Sequence, residues 1–131
     1  MILDTTFVIA LRHDEDARAF ARRQERSNVP RRIPATVVAE LYVGVGHGDR
    51  PHENARAYEE LVANLQVVPK TGDIARRAGA VAGRHAASDT LPAIGLADAT
   101  IAATGLVYDE PVVTADVDDF RSVDGLDVVS W

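Results

Sequence analysis

Three long apolar stretches, residues 1–11, 33–46 and 90–108, each carry one charged residue: Asp4, Glu40 and Asp98. The chain as a whole is 26% charged, so these stretches stand out, and each isolates a carboxylate. An ionised carboxylate is costly to bury unless it is paired or bound to a metal. No Lys or Arg lies within any of the three stretches. Arginines from elsewhere could fold over them, but three separate buried pairs need three partners. A single divalent cation site satisfies all three acids at once. The fold must therefore bring residues far apart in sequence to one place.

The order of elements provides a way to do this. Met1–Leu3 reads as a short buried strand ending at Asp4, followed by a helix over Thr5–Leu11 and an amphipathic helix over Asp14–Ser27 with Phe20 inward. Arg31–Pro34 reads as a second strand. Thr36 is placed to cap a helix from Val37 toward Gly44 or Gly46, and the segment from Gly46 to Asn54 reads as a turn or loop. Pro51–Asn64 repeats Tyr58, Leu61, Val62 and Leu65 at helical spacing. Gln66–Pro69 is strand-like, and Asp73 is expected to cap an alanine-rich helix reaching about Ala87. Leu96–Val107 is a further helix, Pro111–Thr114 a buried strand, Asp116–Phe120 a turn or short helix, and Val128–Trp131 a last strand. Short apolar strands alternating with helices predict an α/β fold with a central parallel sheet, in one domain over residues 1–131. Sites in such sheets gather beyond the carboxyl ends of the strands. Asp4 and Asp116 both leave the sheet on that edge.

Composition narrows the chemistry. There is no cysteine, which excludes disulfides and thiolate metal sites. The apolar start is cut by Asp4 and has no basic flank, unlike a secretion signal. No apolar run is long enough to span a bilayer, so the expected location is the cytoplasm. The net charge of −6 argues against a nucleic-acid partner only if the charge is evenly spread. Half of the basic residues fall between Arg12 and Arg32, and seven acids fall between Asp109 and Asp127. A basic flank including Arg12, Arg22 and Arg23 can hold a phosphate backbone locally; an ordinary solvated helix face explains the arginines equally well.

Clustered carboxylates are hard oxygen ligands that suit Mg²⁺ or Mn²⁺ rather than zinc. Such ions neutralise charge on a phosphodiester during in-line displacement. Each acid alone has a plainer explanation. Asp4 could cap the next helix, Glu40 could lie on a half-buried helix surface, and Asp98 could favour a helix dipole. Asp116 and Asp119 could be turn and cap residues.

The arrangement of the pieces resembles the PIN-domain nucleases, in particular the VapC-like toxins of type II toxin–antitoxin modules. "ILDTTFVI", "PATVVAELYVG", "GLADATIAATG", "VVTADVDDF" and "GLDVVSW" occur in the family's order and at full-domain spacing. The resemblance implies that Asp4 and Asp98 are the primary ligands of Mg²⁺ (or Mn²⁺). Glu40 and Asp116 complete the acidic set, with Asp119 close by and Thr6 and Thr114 supporting it through hydrogen bonds. It also implies a five-stranded parallel sheet flanked by helices, a homodimer, a cognate antitoxin across the active-site groove, and hydrolysis of RNA. The family often has Arg-Asn after the threonine where this chain has Ala115-Asp116. That leaves Asp116, Asp118 and Asp119 as candidates for the fourth acid and removes one phosphate contact.

Other features carry less. His13, His47, His52 and His85 are scattered, and carboxylate–metal chemistry needs no imidazole base. Tyr42 and Tyr58 could stack on bases, although core packing is the more economical reading. The apolar faces around Val8 and Leu11, or Leu61 and Leu65, are read as core rather than as partner surfaces. Aspartyl-phosphate chemistry of the haloacid-dehalogenase type needs a second Asp where Thr6 stands. A housekeeping RNA-processing nuclease is the alternative within the family. A non-catalytic RNA- or protein-binding module is the alternative outside enzyme function.

Overall fold

The computed structural model describes residues Met1–Trp131. Five strands form one sheet: β1 (Ile2–Leu3), β2 (Arg32–Pro34), β3 (Gln66–Val68), β4 (Val112–Val113) and β5 (Val128–Val129). Their order is β3-β2-β1-β4-β5, and every pairing is parallel. Ile2 lies opposite both Arg32 and Val112. The two central strands, β1 and β4, are apolar and wholly buried, as expected of parallel strands covered on both faces.

Seven helices cover the sheet: α1 (Thr5–Ala10), α2 (Glu15–Arg26), α3 (Ala35–His47), α4 (Pro51–Val62), α5 (Gly72–Ala86), α6 (Leu96–Tyr108) and α7 (Val117–Arg121). The main core joins Ile2, Leu3 and Val113 of the sheet to Phe7, Val8, Phe20, Val37, Leu41 and Ile101. A smaller cluster of Val68, Ile74, Ala78, Ala99 and Ala103 holds α5 against α6. Helix α6 passes so close to β4 that a Cβ on Gly105 would stand 3.0 Å from Val112 Cγ2 and from the Glu110 carbonyl. Only glycine fits at that crossing.

Three local expectations are corrected. Thr36 caps nothing, because α3 begins at Ala35 directly after β2, with Pro34 at the cap position. The cap of α5 is Thr71, whose Oγ1 accepts from the Ile74 amide, and Asp73 lies in the first turn. The segment from Gly46 to Asn54 is mostly helical: α3 runs through Gly44 and Gly46 to His47, and α4 starts at Pro51. Val37, Leu41 and Val45 are all buried. Seating Val45 carries the helix past both glycines against a cost of about 1 kcal/mol each.

The strand order has a functional consequence. From β1 the chain moves outward to β2 and β3, then returns on the other side of β1 to β4 and β5. The carboxyl ends of β1 and β4 thus flank the point where the sheet's winding reverses, where open α/β sheets present a crevice.

Candidate active site

Asp4 follows β1 immediately and is 2% exposed. Its Oδ2 accepts from the Thr6 hydroxyl at 2.6 Å and from the Thr114 hydroxyl at 2.7 Å. The Thr6 amide is a longer donor at 3.4 Å, so Asp4 also serves as the N-cap of α1. Each hydroxyl has one proton, and both are directed at the same carboxylate oxygen. The 3.4 Å approach of the two hydroxyls therefore follows from a shared acceptor. The hydroxyl oxygens in turn accept from the loop after β4: Thr6 from the Ala115 amide and Thr114 from the Asp116 amide, both at 3.0 Å. This network ties the end of β1 to the loop carrying Asp116. Asp4 Oδ1 has no protein donor, yet it is not a sealed, unsatisfied atom.

Glu40 lies on α3, half-buried, and its Oε2 accepts from the Thr5 hydroxyl. Thr5 was not singled out in the sequence. A hydroxyl directly after Asp4 at the start of α1 was the available signal, but only the α1–α3 packing supplies its acceptor.

Asp98 stands in the first turn of α6. Its carboxyl is pushed up from 3.8 to about 6, first by burial and then by the negative charges of Asp4, Glu40, Asp116 and Asp119. The favourable dipole of a helix N-terminus is outweighed. Five acids from four parts of the chain thus share one electrostatic neighbourhood, and none of them forms an ion pair with Lys, Arg or the N-terminus. Asp116, Asp118 and Asp119 are all exposed, but Asp118 is not among the charges acting on Asp98, which leaves Asp116 and Asp119 in its electrostatic neighbourhood. Ala115–Asp119 line an open hollow of about 270 Å³. Larger hollows lie beside α5; chemistry rather than volume distinguishes the acidic one.

As the side chains stand, no three of them are close enough to grip an ion. The donor set nonetheless fits a hard divalent cation, being all oxygen and short of positive charge. Uncompensated carboxylates repel one another, and that repulsion is registered in the proton affinity of Asp98.

The arginines of the basic flank do not reach the acids. Arg12 lies over the Tyr58 ring at 5.0 Å and donates to Asn54, Arg22 pairs with Glu15, and Arg23 lies over Phe20. Tyr58 is buried core, whereas Tyr42 is 43% exposed and donates to Glu59. Val8 is buried, and Leu11, Leu61 and Leu65 pack against the core. No helix is long and apolar enough to cross a membrane.

Comparison with known proteins agrees with this architecture. VapBC2 from Rickettsia felis, solved bound to a DNA fragment from its promoter, superposes with a TM-score of 0.88 at 18% identity, covering 99% of this chain and 97% of that one. A DNA-bound VapBC from Salmonella typhimurium gives 0.85 at 21% identity, with 99% and 96% covered. VapBC-5 from Mycobacterium tuberculosis, a member of the VapBC family of toxin–antitoxin systems, gives 0.69 at 28% identity, with 98% and 94% covered. No curated protein matches the sequence. The family model described as "PIN domain" matches residues 1–126, nearly the whole length over which the acids converge, and the chain accordingly belongs to the PIN-domain family.

Proposed function

We propose that the protein is a Mg²⁺-dependent endoribonuclease, with Mn²⁺ as a substitute, and the VapC-like toxin of a toxin–antitoxin pair. The observation that carries this reading is the group of acids around Asp98 with no cationic partner. Asp4, Asp98 and Asp116 would hold the ion, with Glu40 and Asp119 beside them. Bound there, a divalent cation neutralises the charge that develops on a phosphodiester during in-line displacement. The protein's own part is positioning. Thr6 and Thr114 occupy Asp4 Oδ2 and leave Oδ1 without a protein donor, while Thr5 holds the Glu40 carboxylate. Glu40 and Asp119 are then the carboxylates available to accept a proton from an attacking water.

The toxin assignment is supported by VapBC-5 from Mycobacterium tuberculosis, a member of the VapBC family of toxin–antitoxin systems, whose fold this chain shares. A cognate antitoxin, an RNA substrate and a homodimer belong to the same reading. Purified protein should cut RNA in Mg²⁺ or Mn²⁺ and stop on addition of EDTA. Asp4→Asn should remain folded and lose cleavage; full activity in that variant, or cleavage undiminished by EDTA, would count against the assignment. Induced expression should arrest growth, and co-expression of the partner should relieve the arrest. A housekeeping nuclease would leave growth unaffected.

A further inference from the structure

On the flank of the molecule formed by α5, the second half of α6 and the turn before β5 lies a cavity of about 460 Å³, separate from the acidic crevice. Its walls include Val81, Leu106 and Val123, and its polar groups include Arg77 and His85. Arg77, Val81 and His85 recur at four-residue intervals along α5, so they share one helix face. At 1.5 Å per residue, Arg77 and His85 stand about 12 Å apart along it.

His85 is the unusual member. It is 4% exposed, and its Nδ1 lies 2.8 Å from the Pro92 carbonyl. A carbonyl only accepts, so Nδ1 carries a proton; in the tautomer where that is the single ring proton, Nε2 presents a lone pair. The Pro92 bond explains why the ring is buried, since it pins the loop between α5 and α6. It does not explain Nε2, which has no protein partner and is not sealed from solvent. His85 is one of the residues lining the cavity. At the other end, Arg77 has no acidic partner, whereas its neighbours Arg76 and Arg84 are neutralised by Asp73 and Asp124.

We propose that this cavity binds a small organic anion with an apolar body and a hydrogen-bond donor at its far end. The anionic group meets Arg77, the body lies along Val81, Leu106 and Val123, and the donor reaches His85 Nε2. Anion recognition by one unpaired guanidinium, combined with the Nε2 acceptor of that tautomer, selects against neutral molecules and against anions lacking the donor.

The test uses ¹⁵N-labelled full-length protein titrated with 4-hydroxybenzoate, with 4-hydroxybenzamide and 4-methoxybenzoate as comparison probes. Saturable shifts at the amides of Val81, His85, Leu106 and Val123, with a Kd at or below about 1 mM, are expected. Each comparison probe should bind about tenfold more weakly or worse, the loss of roughly one hydrogen bond to a charged or fixed group. Arg77→Gln and Ala80→Leu alter exposed positions on the cavity wall and should retain the dispersed spectrum of the folded protein. The first should weaken 4-hydroxybenzoate at least about tenfold, and the second should block it. Absent or non-saturating shifts, equal binding of the amide, shifts centred on Ala115–Asp119, or an unchanged Kd in Arg77→Gln would each overturn the proposal.

Discussion

Buried and half-buried acids lie at opposite ends of the same strands, Glu110 at one end and Asp4 and Asp98 at the other, and only Glu110 is neutralised. At the amino end, Glu110 precedes β4 with its side chain 18% exposed, and it meets both the Met1 ammonium at 2.8 Å and the Arg32 guanidinium. Arg32 also lies over the Tyr108 ring at 5.0 Å. At the carboxyl end, Asp4 and Asp98 have hydroxyl partners or acidic neighbours but no cation. The first arrangement neutralises its charges within the protein, although Arg32 Nε stays buried without a hydrogen-bond partner, and it holds the edges of β1, β2 and β4 together. The second is incomplete and asks for a ligand of opposite charge. Burial of a carboxylate therefore says little about function until its counter-charge has been sought.

That contrast yields outcomes of decreasing size. Asp98→Asn should reduce kcat/KM for RNA by roughly a thousandfold, whereas Glu110→Gln should leave a measurable nuclease; equal losses in single-turnover assays would abolish the distinction between the two ends. Glu110→Ala, which strands Arg32 without its carboxylate, should cost about 2–3 kcal/mol in urea unfolding.

Asp98→Asn should act on stability in the opposite direction. Its folded carboxyl is pushed up to about 6 from an ordinary value of 3.8, so between these values the folded state holds the proton and the unfolded state does not. Stability therefore falls as pH rises through that window, and the full penalty applies above it. In metal-free protein at pH 7.5 the amide should stabilise by about 1–2 kcal/mol, allowing for solvent screening. The gain should vanish toward pH 4, and a pH-independent gain would contradict the electrostatic explanation. Mn²⁺ should raise the melting temperature of the parent protein more than that of this variant.

Thr114→Val removes one of the two hydroxyl donors to Asp4 Oδ2. It should lower cleavage about tenfold, the equivalent of one hydrogen bond to a charged group. Arg22→Gln, which breaks an exposed pair with Glu15, should leave the melting temperature unchanged.

Much of this organisation was legible in the residues because the signals were long or doubled. Helix α6 is apolar over three turns with a single acid, and the parallel sheet followed from short buried runs such as "PVVT" separated by helices. Cap positions were less legible. Thr36 satisfies the usual preference, but the pairing of Pro34 with Val68 carries β2 straight into α3 and leaves no room for a cap two residues later. Thr71 took the role expected of Asp73 because the chain leaving β3 turns one residue before Gly72. Among the site groups, lone carboxylates in apolar stretches were conspicuous, whereas the link from Thr5 to Glu40 depends on how α1 meets α3. Spacing within "TADVDDF" could not show that Asp116 and Asp119, and not Asp118, act on Asp98.

The two hydroxyls on Asp4 come from opposite ends of the polypeptide, Thr114 lying 110 positions downstream. A nascent chain still on the ribosome has Asp4, Glu40 and then Asp98, but Asp4 has only the local Thr6 donors until β4 emerges. Domains fold as units, and the acidic crevice of this one closes only when β4 pairs beside β1. On the proposed reading, a fragment lacking β4 and the loop after it would have no assembled site and should not cut RNA.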